Sequence, residues 1–260
     1  MSPFAALSPT EAAISLTPTR RFATLAATAC VLLPVYGAIG VYTAGSGGKR
    51  HTLPSALDDM VPFEPAWVVV YALVFLQALA PLAVVTDPRV LNRTVAAYLT
   101  IYAIGTPIWL LYPVVVPRPP LPIVDLWTYG IGIVRYVDPP GNCMPSMHVA
   151  LAVMATLAVR RHDRLAGALL AVSAALIWWS TLAIRQHWAS DGVVGAGFAI
   201  VADQLWFAMK PLPPEAFVPL HRAWHLTWIL TFVVAVLVLM SGWWFGWVPI
   251  EALPPNAVAW

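Results

Sequence analysis

Residues 142–191 read NCMPSMHVALAVMATLAVRRHDRLAGALLAVSAALIWWSTLAIRQHWASD. Two apolar runs flank the basic turn RRHDR at 160–164, and each run ends, away from that turn, in a polar cluster that carries a histidine. The runs are continuously apolar, whereas strands of a membrane barrel alternate apolar and polar residues, so helices are predicted. A spanning helix needs about 20 apolar residues. The first run looks short because its opening turn lies in the polar cluster.

The same reading extends along the chain. Apolar stretches fall at about 22–45, 65–85, 94–116, 146–159, 166–186, 192–208 and 226–248. The 260 residues are 60% hydrophobic and only 10% charged, with a mean hydropathy of +0.76. Soluble domains are nearer half apolar and a quarter charged. The expected fold class is therefore all-α, a polytopic membrane helix bundle. Residues 1–21 are expected to be a cytoplasmic tail and 22–260 a single integral membrane domain. Arg20 and Arg21 precede the first run, which is nearer spanning length than a cleavable signal core. A net charge of +2 is too small to suggest a nucleic-acid partner. Two cysteines, Cys30 in an apolar run and Cys143 beside the first histidine, define no disulfide framework.

Cationic loops stay cytoplasmic. With the N-terminus inside, Arg20, Arg21, Arg89, Arg93, Arg160, Arg161, Arg164, Lys210 and Arg222 are cytoplasmic, leaving Lys49, Arg50, Arg118, Arg135 and Arg185 on the other face. That orientation puts the loop 117–145, His148 and the segment 185–191 together on the extracytoplasmic face.

Those residues carry chemistry. His187 and Asp191 are four apart, so on a helix the carboxylate meets one imidazole nitrogen, fixes the tautomer and leaves the other nitrogen directed. The plain alternative is an interfacial ion pair. Ser146, after Pro145, is a candidate N-cap whose helix start attracts anions, and His148 follows it. Taken singly, that cluster is an ordinary cap with a snorkelling histidine. Arg118 and Arg185 are phosphate-binding candidates, because a guanidinium binds phosphate oxygens bidentately and keeps its charge. Two histidines, a carboxylate and two arginines on one face suit phosphoryl transfer, with one histidine attacking phosphorus and the other protonating the leaving oxygen. No cluster on this face has metal-ligand spacing, so neither a metal nor another cofactor is required.

The order of RP at 118–119, PSMH at 145–148 and RQHWASD at 185–191 resembles the three motifs of the type 2 phosphatidic acid phosphatase superfamily. The resemblance covers about residues 94–208. It implies a six-helix phosphatase-like core, here with one additional C-terminal spanning helix. It also implies that His187 is the nucleophile forming a phosphohistidine, that His148 is the general acid, and that Asp191 orients His187. Arg118, Ser146 and Ser180 take further motif positions. The sequence departs from the pattern at three places: Leu111 replaces a lysine, Met147 a glycine and Thr181 an arginine. Arg185, two residues before His187, is a substitute cation and is similar to the inositol phosphorylceramide synthase branch.

The expected function is a metal-independent membrane enzyme that cleaves a lipid phosphoester or phosphoanhydride, with a lipid phosphate or phospholipid as substrate and hydrolysis as the default. One alternative is a lipid headgroup phosphotransferase, like a sphingomyelin or inositol phosphorylceramide synthase. Another is a non-catalytic lipid or anion transporter. Elsewhere Asp203 is read as a paired or snorkelling carboxylate, Asp125 and Asp138 as solvated loop residues, and His221 and His225 as part of an interfacial helix. The segment 46–64 is either a rim over the site or a plain connector.

Overall fold

The computed structural model describes residues 18–45, 48–85, 87–118, 120–138, 140–209, 211–217, 233–234, 237–238 and 240–246. Residues 1–17 of the expected 1–21 tail, most of the last expected span and the His221/His225 pair lie outside the described residues, while residues 18–21 form the start of a helix. Among these residues the regular elements are helices, with one isolated bridge between His51 and Val114.

Among the described residues, eight α-helices with defined bounds follow in order: α1 Pro18–Gly45, α2 Ala56–Met60, α3 Val68–Val84, α4 Pro88–Leu111, α5 Leu126–Val137, α6 Met147–Val159, α7 Arg164–Ala183 and α8 Ala189–Asp203. Three are long and apolar enough to cross a bilayer: α4, α7 and the Ala26–Thr43 stretch of α1. Helix α6 and the segment Pro65–Pro81 are apolar but shorter. The described residues are all-helical, as the apolar runs predict, with three of the seven expected spans long and apolar enough to cross a membrane.

The boundaries have local causes. Helix α4 begins six residues before the apolar run suggested, because Asp87 caps it by accepting the Arg89 amide and Pro88 fits the first turn. The Asp163 side chain likewise accepts the Ala166 amide and starts α7 immediately after the basic turn. Helix α8 ends at Asp203 and passes into a π-helical turn, Gln204–Ala208, which completes the sixth apolar run. Helix α5 was not anticipated: the stretch 117–145 reads as a loop, yet Asp125 accepts the Thr128 amide and caps twelve helical residues inside it.

At the centre is α6, buried on nearly every side, as expected for a helix that is apolar all round. It packs against α8, α7 and α3, and α4 closes a further side. Small residues allow the closest approach. A Cβ at Gly195 of α8 would collide with the Ser146 carbonyl at the start of α6, so only glycine permits this spacing. Gln77 of α3 donates its amide to Ala152 O (3.0 Å) and Leu170 O (2.9 Å), tying α3 to α6 and α7 with a buried polar group.

The two ends of the bundle differ. At the end that carries the 160–164 turn, Arg161 forms an ion pair with Asp203 (2.8 Å) and stacks over Phe207 (4.4 Å). This places Asp203 as a paired carboxylate. The opposite end holds the loops between α4, α5 and α6, and the turn between α7 and α8. There the 48–64 segment is fastened in place. His51 exchanges main-chain hydrogen bonds with Pro113 and Val115 (3.0 and 2.9 Å), and Glu64 N–H donates to Ala183 O (3.0 Å).

Candidate active site

The start of α6 and the start of α8 are joined directly. Ser146 N–H donates to Asp191 O at 3.0 Å, and the Ser146 hydroxyl accepts the Val149 amide as the N-cap of α6. Just before α8 the chain turns tightly: the Thr181 carbonyl receives the amides of both Gln186 (2.9 Å) and His187 (3.2 Å). Within this turn Arg185 adopts φ 56°, a left-handed conformation that costs a non-glycine residue energy unless its surroundings hold it. These constraints put His187 opposite His148.

The two rings face one another across 3.2 Å, His148 Nδ1 to His187 Nε2. On the far side of His187, Nδ1 lies 3.4 Å from Asp191 Oδ2, which also accepts the Trp188 amide at 2.9 Å. On the far side of His148, Nε2 lies 2.6 Å from the Tyr71 hydroxyl. Tyr71 in turn donates to Asp138 Oδ2 at 3.0 Å, and Tyr36 donates to Asp138 Oδ1 at 2.9 Å. Both histidines, Asp191 and Asp138 are buried. The reading of Asp138 as a solvated loop residue is thereby corrected. It sits at the end of α5, 8% exposed, because two phenol hydroxyls satisfy its carboxylate. Asp125, by contrast, is exposed and caps α5.

Arg118 is at the site. One terminal nitrogen donates to Asp138 O (2.9 Å), the other to Gln186 Oε1 (2.7 Å), so the guanidinium clamps the α5 end to the α7–α8 turn. Arg118 Nε and Gln186 Nε2 are buried N–H donors with no hydrogen-bond partner among the described residues, and His187 Nδ1 and Asp191 Oδ1 are likewise without one. Unsatisfied buried donors are costly and point to a ligand oxygen or water.

Arg185 is directed elsewhere. Its terminal nitrogens donate to the carbonyls of Asp58 (3.0 Å) and Val61 (2.8 Å), and Asp58 Oδ1 accepts the Ala189 amide at 2.8 Å. The cation read as a phosphate ligand therefore pins α2 against the turn that carries His187. Of the remaining motif positions, Ser180 bonds back to Ile177 O (2.6 Å) within its own helix, and Leu111 is exposed at the end of α4.

Cys143, His187 and Asp191 bring one potential ligand atom each within 4.8 Å of one another. The thiol faces main-chain oxygens, those of Pro140 (3.3 Å) and Gln186 (3.5 Å), and so acts as a donor. Burial and the nearby Asp191 push its pKa well up. No metal-ligand spacing is legible on this face in the sequence, yet the fold gathers these three side chains.

Sequence reasoning missed Tyr71, Tyr36 and Gln186. A tyrosine within an apolar run carries no signal of its own, and neither does a glutamine inside a motif's variable positions. The chain matches no protein-family model, no curated protein and no solved structure.

Proposed function

We propose that this chain is an integral membrane enzyme that cleaves a lipid phosphoester through a phosphohistidine, acting as a lipid phosphate phosphatase of the type 2 phosphatidic acid phosphatase kind. The observation that carries the reading is the pair of facing imidazoles, His148 and His187, 3.2 Å apart with Asp191 behind His187. A structural ion pair requires one histidine and one carboxylate. Nucleophilic displacement at phosphorus requires a directed imidazole and an acid on the departing oxygen, and two opposed rings supply both.

In this reading His187 Nε2 attacks phosphorus while Asp191 holds Nδ1–H. The P–O bond to the lipid alcohol breaks, and His148 donates a proton to that oxygen. Water then attacks the phosphohistidine, returning a proton to His148 and releasing phosphate. The rings must part to admit phosphorus between them. Arg118 and the start of α6 at Ser146 face the phosphoryl oxygens. Arg185 supports the site through α2 rather than binding phosphate.

Lipid as the substrate class is supported by Phe75. It lies one turn beyond Tyr71 on apolar α3, is 53% exposed, and its ring centroid is 6.5 Å from that of His148. A bilayer-facing side chain thus adjoins the site, so a substrate can bring its phosphate to His148 while its tails stay in lipid. The Lys and Arg distribution supports an extracytoplasmic location for this end of the bundle.

The test is phosphate release from a panel of lipid phosphates by the purified protein in detergent with EDTA, beside His187→Ala. Metal-independent release lost in the variant supports the reading. A headgroup transferred to an added lipid alcohol without free phosphate makes the enzyme a transferase. Silence in both assays removes the catalytic reading.

A further inference from the structure

Five side chains form a series from one buried carboxylate to another: Asp138, Tyr71, His148, His187 and Asp191, the last contact, His187 Nδ1 to Asp191 Oδ2, being an ion-pair distance of 3.4 Å outside hydrogen-bond geometry. The series has four contacts, and each is attractive only with one hydrogen between its two atoms. A neutral tyrosine and two neutral histidines supply three.

The ends settle where those three lie. Both oxygens of Asp138 accept phenol hydroxyls, from Tyr36 and from Tyr71. The Tyr71 oxygen, having given its own hydrogen to Asp138, must accept from His148 Nε2–H. At the other end, a bare His187 Nδ1 would set a lone pair against the Asp191 carboxylate, so Nδ1 carries hydrogen. Each imidazole has then used its one neutral-state hydrogen on its outer side. The inner nitrogens, His148 Nδ1 and His187 Nε2, would meet lone pair to lone pair at 3.2 Å. Only one more proton makes that contact attractive.

We propose that Asp138, acting through Tyr71, is a second orienting carboxylate, and that the two carboxylates together trap one extra proton between His148 Nδ1 and His187 Nε2. The inference rests on the phosphatase reading for its catalytic meaning, though not for its geometry. The other groups facing the pair fit this count. Arg118 is cationic but spends its terminal nitrogens on Asp138 O and Gln186, and Cys143 is a neutral thiol beside Asp191. Two carboxylates with one imidazolium leave the pocket anionic before Arg118 is counted, and near neutral once it is included.

The arrangement also prepares the reaction. With the extra proton on His148, His187 Nε2 is a free lone pair with its hydrogen on Nδ1, which is the state a nucleophile needs. His148 holds its acidic hydrogen on Nδ1, the atom that faces the place where phosphorus binds. When His187 Nε2 forms its bond to phosphorus and the P–O bond breaks, the departing alkoxide takes that hydrogen. His148 is left neutral with Nε2–H still bonded to Tyr71. The water that opens the phosphohistidine gives one hydrogen back to His148 Nδ1 and its hydroxide to phosphorus. Tyr71 and Asp138 are thus positioning residues. They keep His148 from presenting the wrong nitrogen.

The experiment combines nitrogen NMR with kinetics on full-length protein in lipid nanodiscs, labelled with ring-15N histidine. The pair among the six histidines is assigned from His148→Gln and His187→Gln spectra. At neutral pH the wild type should show one site ring with both nitrogens protonated. In Tyr71→Phe, which preserves ring packing, and separately in Asp138→Asn, that signature should vanish at neutral pH and return only in acid. In parallel, kcat/KM for dioctanoyl phosphatidic acid should fall at least about tenfold more than for 4-nitrophenyl phosphate, whose leaving group needs no proton. A doubly protonated ring absent from the wild type, or unchanged in both variants, overturns the proposal. A wild type that cleaves neither substrate while its NMR signature still responds to Tyr71→Phe supports the shared proton and overturns the phosphatase reading instead.

Discussion

The amide of Ser146 donates to the carbonyl of Asp191 at 3.0 Å, and this single main-chain bond sets the relation between the two helices that carry the histidines. It holds the first turn of α6 against the first turn of α8, at the point where Gly195 permits close contact. His148 lies two residues beyond one partner and His187 four residues before the other.

The carboxylate behind the proposed nucleophile should matter more for rate than for folding. Asp191→Asn keeps the side chain's size and an acceptor for the Trp188 amide, but it removes the charge that stabilises imidazolium and selects the tautomer. A fall in kcat of about 10²-fold or more is expected, with little change in thermal midpoint. Comparison of turnover with circular dichroism melting in one detergent checks this; near-full activity in Asp191→Asn would sink the assignment of His187.

Gly195→Val tests the close approach of α8 to α6. The new side chain meets the Ser146 carbonyl, a main-chain atom that cannot swing aside, so the helices must separate. Overpacking of this kind typically costs about 1–3 kcal/mol. The expected readout is a lowered thermal midpoint together with lost activity, because the same displacement pulls His148 from His187. Gly197→Val is the control, since a Cβ there meets nothing within 4 Å.

Asp58→Ala should release α2 from the turn that carries His187. The side chain accepts from Ala189 N–H (2.8 Å), from Ser55 N–H (2.8 Å) and from the Ser55 hydroxyl (2.6 Å), so its loss strands the buried Ala189 amide. A penalty of about 1–3 kcal/mol follows from the unsatisfied groups. Limited proteolysis should then cut the 48–64 segment faster than in the wild type. Equal cutting rates in the two proteins would show that the segment is not held by Asp58.

Cys143 gives a pH prediction with a definite sign. Its thiol pKa is raised by burial, so the folded protein resists ionising it, whereas the unfolded chain ionises near pH 8.5. The unfolded state therefore binds fewer protons above that pH, and this group makes stability fall as pH rises through the alkaline range, with no contribution below it. Cys143→Ala should flatten the alkaline limb of a plot of thermal midpoint against pH. Alkylation at pH 8 by a membrane-permeant maleimide should modify the exposed Cys30 and spare Cys143.

Much of the architecture was legible in the chain because the causes are local. Continuous apolar runs identify helices, three of them long and apolar enough to cross a membrane, and Ser146 marks where α6 begins. His187 and Asp191, four positions apart, lie within ion-pair distance, but His187 precedes α8, so the tight turn after α7 and not a shared helix face brings them together. Helix α5 escaped notice because a twelve-residue element between polar loops lacks the length that makes a membrane helix conspicuous.

What the sequence by itself determined is an all-helical class with helices apolar enough to cross a membrane, the helix start at Ser146 and the candidate chemistry of His148, His187, Asp191 and Arg118. Tertiary structure alone decided the partners of those residues. Asp138 and Tyr71 are 67 positions apart and meet only because α5 packs on α3, and Tyr36 reaches the same carboxylate across 102 positions. Arg185 is two residues from His187, yet the left-handed turn at its own backbone aims it at α2. Helix-forming tendency and apolarity are summed residue by residue along the chain. The direction of a buried polar side chain depends on which distant group can satisfy it, and packing determines that group.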